Sequence, residues 1–232
     1  MLGRMCGRYA STLPAAAIAR LFHVTGTLPE RAPSWNIAPS QAVPVVRRHP
    51  PTGARHLDLL RWGFLRHWTP EARAARRPIN ARAETVATAP MWRDAFARRR
   101  CLVPADAFYE WRAAQGLAAR GKQPYAIARA DGAPLALGGL WDSWRGQDGK
   151  IVRSFAIVVT AANATMAPIH DRMPVILEEP DWPLWLGETE GEAAALLRPA
   201  AEGVLRVWPV SRAVNTPRND GPALLTPIGV GG

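Results

Sequence analysis

At 232 residues the chain has the length of one large domain and enough material to bury a substantial core. A hydrophobic content of 48% excludes a disordered chain, and the lack of a long uninterrupted apolar run excludes a membrane-spanning helix. The net charge of +10 points to a polyanionic partner, and nucleic acid is favoured over an acidic membrane surface because no basic amphipathic helix stands out.

Taken in chain order, residues 6–10 read as a short strand. Residues 13–22 read as a helix, with Ser11 or Thr12 as its cap and Ala17, Ile18, Leu21 and Phe22 as its apolar stripe. Residues 29–39 read as a loop. Alternating or apolar runs at 42–46, 57–62, 101–104, 108–111, 125–129, 135–141, 155–160 and 175–177 read as strands. Short helices are predicted at 89–98, 181–186 and 191–197. The stretches 50–55, 69–77 and 115–122, rich in Pro, Gly, Ala and Arg, read as exposed loops and not as linkers. Many strands with few scattered helices and no βαβ alternation predict one α+β domain with a mostly antiparallel sheet.

The two cysteines, Cys6 and Cys101, form no disulfide framework, and no Cys/His cluster has metal-ligand spacing. No metal or organic cofactor is expected. With no apolar signal core at the N-terminus, a reducing cytoplasm is the expected location. The only lysines are Lys122 and Lys150; all other positive side chains are arginines, which fork onto phosphates and stack on bases better than lysine does. Of the ten tryptophans, Trp141, Trp144, Trp182, Trp185 and Trp208 lie in apolar stretches and read as structural.

Cys6 carries the most distinctive chemistry. The chain opens Met1-Leu2-Gly3-Arg4-Met5-Cys6-Gly7-Arg8. If translation starts at Met5 and that methionine is trimmed, Cys6 bears a free α-amine beside its thiol. Such a 1,2-aminothiol condenses with an aldehyde to an imine, which the thiol closes to a thiazolidine. Amine and thiol have ordinary pKa values of about 7.7–8.0 and about 8.5, so both are partly reactive near neutrality. Ring closure is intramolecular, where effective molarities reach ~10⁵–10⁸ M. On spacing alone, a small buried residue opening a strand is the favoured reading of Cys6.

Four further segments hold polar residues in ordinary contexts. Asn80 opens NARAET and by itself suggests a turn or cap. Glu110, between Tyr109 and Trp111 at a strand end, reads either as a desolvated proton-transfer group or as an edge carboxylate reaching water or an arginine. His170, ahead of Asp171 and Arg172, reads either as a base oriented by a carboxylate or as a solvated turn. WNIAPSQ is a loop carrying Asn36 and Ser40.

Taken together these segments are specific. MCGRYA, WNIAPSQ, WGF followed by Trp68, NARAET, RRRCLVPADAFYEW, KQPY, GGLWDSW, IHDRMPVIL and VSRAVNTPRND occur in this order. From Met5 to about Leu224 the chain resembles the SOS-response-associated peptidase (SRAP) family. The resemblance implies a barrel-like sheet with peripheral short helices, residues 6–232 as one domain, and residues 1–5 as a removed or non-native extension. It implies covalent capture of abasic sites in single-stranded DNA by a monomeric protein, with Cys6, Asn80, Glu110 and His170 matching the family's active-site residues. On this reading His170 transfers a proton at the sugar ring oxygen and Glu110 shuttles protons around the amine and carbinolamine. Asn80 holds the cysteine or the sugar. Arg8, Arg82 and Arg172, each flanking one of these motifs, form a candidate phosphate cradle, and Trp68 and Trp111 are candidates for base stacking or for blocking a continued duplex.

The chain departs from the family pattern at its start, where five residues precede the cysteine. It also has Ala107 where a glycine is usual and Arg66 where a proline is usual. With Met1 retained, Cys6 has no free amine and thiazolidine formation is impossible. The resemblance also extends to peptidase and lyase-type activities of the crosslinking protein. Two other readings remain open: a thiol peptidase with Cys6 as nucleophile, His170 as base and Asn80 as orienter, acting on other chains or on itself only, and a passive single-strand binder without a covalent step.

Overall fold

The structure, a computed structural model, describes residues 7–71, 75–113 and 121–229. Its centre is a closed five-stranded barrel built from β3 (Ala42–Arg48), β4 (Arg55–Trp62), β6 (Arg100–Ala105), β9 (Leu135–Arg145) and β10 (Ile151–Ala161). Around the barrel, β4 pairs antiparallel with β3, β3 with β6, β6 with β9 and β9 with β10. The parallel pairing of β10 with β4, Phe155 opposite Trp62, closes the ring and removes its open edges.

Both faces of the barrel wall are buried, so its strands read as nearly continuous apolar runs. One set of side chains, including Val43, Val45, Leu60, Trp62, Val103, Leu137, Phe155 and Ile157, fills the interior. The alternate set, including Val46, Leu57, Leu102, Leu140, Ala156 and Val158, packs outward against α1 (Ala15–Leu21), α2 (Arg93–Arg98) and α3 (Trp182–Leu186). The glycine pair of GGLWDSW serves this packing. A Cβ on Gly138 would stand 3.1 Å from the Trp185 ring, and one on Gly139 would stand 2.9 Å from the Cys101 sulfur.

A second, antiparallel sheet has the order β12 (Leu205–Pro209), β8 (Lys122–Arg129), β7 (Ala107–Ala113), β1 (Tyr9–Ser11), β2 (Ser34–Ile37). Tyr9, Phe108, Ile127 and Leu205 on one face join the barrel core. Ala10, Tyr109 and Ala126 on the other are covered by Val210, Val214 and Leu224 of the C-terminal segment. Two short strands complete the fold at the end of β10. On one edge β5 (Asn80–Arg82) runs parallel to it, with Arg82 opposite Val159; on the other β11 (Arg172–Pro174) runs antiparallel, with Arg172 opposite Ala161.

The α+β, mostly antiparallel, barrel-like expectation holds. Several local expectations do not. The first helix begins at Ala15, with Pro14 at its N-terminal cap position and no side-chain cap from Ser11 or Thr12. Part of the expected 29–39 loop is β2, and β5 and β12 were not expected as strands. Runs of three to five residues are too short to show a period, and their partners lie far away in sequence. The last expected strand moves upstream to Arg172–Pro174, and the expected helix at 191–197 is one 3₁₀ turn, Ala193–Leu196.

Of the tryptophans expected to be structural, Trp141, Trp182 and Trp185 are buried. Trp144 and Trp208 are half-buried, and their indole N–H groups donate to Thr69 O and Leu225 O. Cys101 lies in the barrel interior, where burial pushes its thiol pKa far up. Among the described residues no helix is long and apolar enough to cross a membrane, and no group of three or more His, Cys, Asp or Glu is placed to hold a metal ion.

Candidate functional site

Cys6 lies outside the described residues; the description begins at its covalent neighbour, Gly7. Gly7 and Arg8 are held between two of the motifs. A Cβ on Gly7 would stand 3.8 Å from the Ile79 side chain, one residue before Asn80. The Arg8 carbonyl accepts the Tyr109 N–H at 3.0 Å, one residue before Glu110. The Ile79 carbonyl in turn accepts the Trp62 indole N–H at 3.0 Å, and Trp62 meets the Tyr9 ring edge-on, with centroids 5.2 Å apart. The start of the described chain is thus fixed against both the Asn80 and the Glu110 elements.

Glu110 is 2% exposed. Along β7, Phe108 turns into the barrel core while Tyr109 and Trp111 turn to the outer face, so Glu110 faces inward with Phe108. A carboxylate buried there is costly unless it is hydrogen-bonded or exchanges a proton with its surroundings. Asn80 is half-buried on β5, opposite Ile157 of β10.

His170 follows the turn that leaves β10; its N–H donates to Met166 O at 3.0 Å, and Met166 belongs to the barrel core. Its side chain is 18% exposed. Nδ1 accepts the Arg172 N–H at 3.1 Å and also lies 2.8 Å from an Asp171 carboxylate oxygen. The first contact suits the neutral ring with its proton on Nε2; the second steadies the imidazolium. Burial lowers the His170 pKa below the ordinary histidine value, Asp171 opposes this, and Lys122 and Arg172 reinforce it. Lys122 opens β8, opposite Ala113 of β7, so this end of the β7–β8 pair lies on the side of the sheet whose charge reaches His170, with Glu110 farther along β7 opposite Tyr125.

The three expected phosphate-binding arginines differ in their surroundings. Arg82 is exposed. Arg172 is ion-paired with Glu84, which ties NARAET to the His170 turn across the end of β10. Arg8 turns inward, where burial lowers its pKa. Its Nη1 donates to Asn36 Oδ1 and Val214 O, both at 3.0 Å, and its Nε donates to Gly7 O at 3.3 Å.

The two tryptophans expected to meet bases also differ. Trp68 is 48% exposed, with the Arg66 guanidinium 3.5 Å above its ring centroid. Trp111 lies on the face of β7 opposite Glu110 and packs against the outer cluster, with its indole N–H on Asn215 Oδ1 at 2.7 Å. Adjacency in sequence does not put Trp111 beside the Glu110 carboxylate, because successive strand residues point to opposite faces.

Sequence reasoning named Asn36 without a role and did not single out Glu84. Asn36, 1% exposed on β2, is a structural clamp: its amide donates to Val214 O, Thr216 O and Asn219 O. Glu84 lies inside a motif that was noted, but its partner is 88 residues away. No local pattern signals either role.

The barrel flanked by a second sheet carries Asn80 at the start of β5, Glu110 in the middle of β7 and His170 in the turn before β11, with Gly7 and Arg8 fixed against the β5 and β7 elements. The family model for SOS response associated peptidase (SRAP) matches residues 5–217, and the chain belongs to this family. It is similar to the abasic site processing protein YoqW of Bacillus subtilis (strain 168), 33% identical over 226 residues that cover 95% of this chain and 99% of the relative. It is also similar to the abasic site processing protein YedK of Escherichia coli (strain K12), 32% identical with 97% and 100% covered. A third relative, the abasic site processing protein HMCES of Gallus gallus, is 30% identical with 98% and 79% covered. A solved structure of a protein from Bacteroides thetaiotaomicron shares the fold, with a TM-score of 0.84 at 21% identity over 96% of this chain and 100% of that one.

Proposed function

We propose that this chain recognises abasic sites in single-stranded DNA and captures them covalently through Cys6. The observation that carries the reading is the placement of Gly7 and Arg8, which sets the residue attached to Cys6 beside both the Asn80 and the Glu110 elements. The net charge of +10 supports a polyanionic substrate, and the relatives named as abasic site processing proteins support the lesion.

An abasic deoxyribose is mostly a closed hemiacetal, so its ring must open before an aldehyde is available. Opening breaks the C1′–O4′ bond as the C1′ hydroxyl gives its proton to solvent and the ring oxygen takes one from Nε2 of His170 in its imidazolium form, which Asp171 steadies. The imidazole returns to the neutral form that burial favours and is reprotonated from solvent. The Cys6 amine then adds to the C1′ aldehyde, forming a C–N bond and a carbinolamine. Protonation of the carbinolamine hydroxyl through Glu110 expels water and leaves an iminium. The thiolate attacks the same carbon, forming the C–S bond, and the C=N electron pair returns to nitrogen. The product is a thiazolidine, and the net change is loss of one water. Asn80 orients the cysteine or the sugar through neutral hydrogen bonds, while Arg82 and Arg172 receive backbone phosphates.

This chemistry requires Cys6 to be the first residue, either because Met5 is the initiator that is trimmed or because the chain is cleaved before Cys6, with 6–232 acting as one domain. Denaturing electrophoresis with a single-stranded oligonucleotide bearing one abasic site tests the requirement. Protein beginning at Cys6 gives a shifted band that survives detergent, and protein retaining Met1–Met5 gives none. Peptide cleavage by the N-terminally extended protein would favour the thiol peptidase. Equal, fully reversible binding of intact and abasic strands would favour the passive binder.

A further inference from the structure

We propose that Glu84 determines how tightly the protein holds undamaged DNA: its carboxylate occupies Arg172 in the DNA-free protein as a surrogate for a backbone phosphate, and a strand engages the rim by displacing it. This rests on the DNA-binding reading above. Arg82 and Glu84 come from the β5 side of β10 and Arg172 from the β11 side, so the Glu84–Arg172 pair spans the open end of that strand. His170 lies two residues from Arg172 and Asn80 lies two residues from Arg82. The pair therefore sits on the rim where a strand entering the site must pass.

The Arg172 backbone does not depend on Glu84 for its placement. It pairs with Ala161, its N–H donates to His170 Nδ1, and the preceding Asp171 carbonyl accepts the Ala162 N–H at 3.0 Å. Glu84, by contrast, is 49% exposed and lies beyond the last paired residue of β5. Its carboxylate offers a guanidinium fork the same kind of acceptor pair that a phosphate offers. Partial burial raises the Glu84 pKa, but its own N–H, Arg172 and Arg82 outweigh this, and the net direction is down. The carboxylate is thus ionised at neutral pH and feels both rim arginines. Exposed ion pairs are among the weaker interactions in proteins, whereas a phosphate from a polyanion also releases condensed counterions. Exchange is therefore possible. Its cost lowers the affinity for any strand, damaged or not, so retention depends more on the covalent step.

The test is fluorescence anisotropy with an undamaged single-stranded oligonucleotide over a salt series, using wild type, Glu84→Gln, Glu84→Ala, Arg172→Ala and the double variant Glu84→Gln/Arg172→Ala. Thermal unfolding checks that each is folded. In wild type the displaced carboxylate takes up a cation that offsets one released from the strand, so Glu84→Gln is expected to steepen the log–log salt slope by about 0.7 and to tighten binding about fivefold near 0.1 M salt. Most of that gain disappears in the Arg172→Ala background. Unchanged or weaker binding by both Glu84 variants, with wild type binding normally, overturns the proposal and makes Glu84 a positioning residue. A full gain without Arg172 overturns it as well, in favour of a general charge effect. If wild type itself does not bind the strand, the DNA-binding reading fails instead.

Discussion

Arg8 and Asn36 hold each other at the junction of the N-terminal and C-terminal segments, Nη1 donating to Oδ1 at 3.0 Å. Through this pair the residue two places after Cys6 is tied to Val214, Thr216 and Asn219. Asn36→Ala removes the amide from three carbonyls and the acceptor from Arg8 in a site that is 1% exposed. Val214 O keeps Arg8 and Thr216 O keeps the Asn219 N–H, while Asn219 O loses its amide donor. The substitution is expected to destabilise the fold by about 2–3 kcal/mol. Urea unfolding should show a lower midpoint with an unchanged slope. It should also slow crosslinking under conditions where the variant remains folded, because the Gly7–Arg8 anchor loosens.

The two thiols are separable. Cys101 lies in the barrel interior with its ionisation suppressed by burial, so Cys101→Ala is expected to keep crosslinking while Cys6→Ser abolishes it. Gly139→Ala drives a methyl to within 2.9 Å of the Cys101 sulfur and should cost about 1–3 kcal/mol. Part of that loss should return in Gly139→Ala/Cys101→Ala. Denaturant melts of the four variants measure the coupling.

Ring opening and aldehyde condensation make different demands on His170 and Glu110. With abasic DNA, both His170→Ala and Glu110→Gln should slow capture, each by about 10²–10⁴-fold, the usual range for a general acid or base. With a simple aldehyde, which has no ring to open, His170→Ala should approach wild type while Glu110→Gln stays slow. Identical defects of the two variants on both substrates would contradict this division of roles.

Acidification should weaken the fold through His170. Its folded pKa lies below the ordinary value of about 6.5, because burial disfavours the charged ring. The unfolded state therefore takes up the proton first. The stabilisation is present above about pH 6.5 and is lost as pH falls from there through the lower folded pKa. Urea midpoints at pH 7.5 and pH 5 should separate more for wild type than for His170→Gln. Equal separations would show that the Asp171 contact, not burial, governs the ring.

The barrel was legible in the chain because each wall strand carries enough apolar residues to show its pattern, as in LALGGLW of β9. The ends of β9 and β10 were not, since beyond the closed barrel they continue as a hairpin, Arg145 opposite Ile151, with polar residues that carry no burial signal. The four motifs could be read as a set only through their order. Which way each side chain points could not: Glu110 and Trp111 are neighbours in sequence and lie on opposite faces. Arg8 likewise read as a phosphate ligand from its charge and position, whereas its bonds to Asn36 and Val214 join positions 28 and 206 residues away. Long-range polar pairs of this kind leave no periodic trace.

Covalent capture through the terminal aminothiol is tested most directly by the intact mass of protein beginning at Cys6 after incubation with a single-stranded oligonucleotide bearing one abasic site. The expected species is protein plus oligonucleotide minus one water, with a Cys6→Ser control remaining unmodified. Wild-type protein that begins at Cys6, is folded, and keeps its own mass would contradict capture by this route.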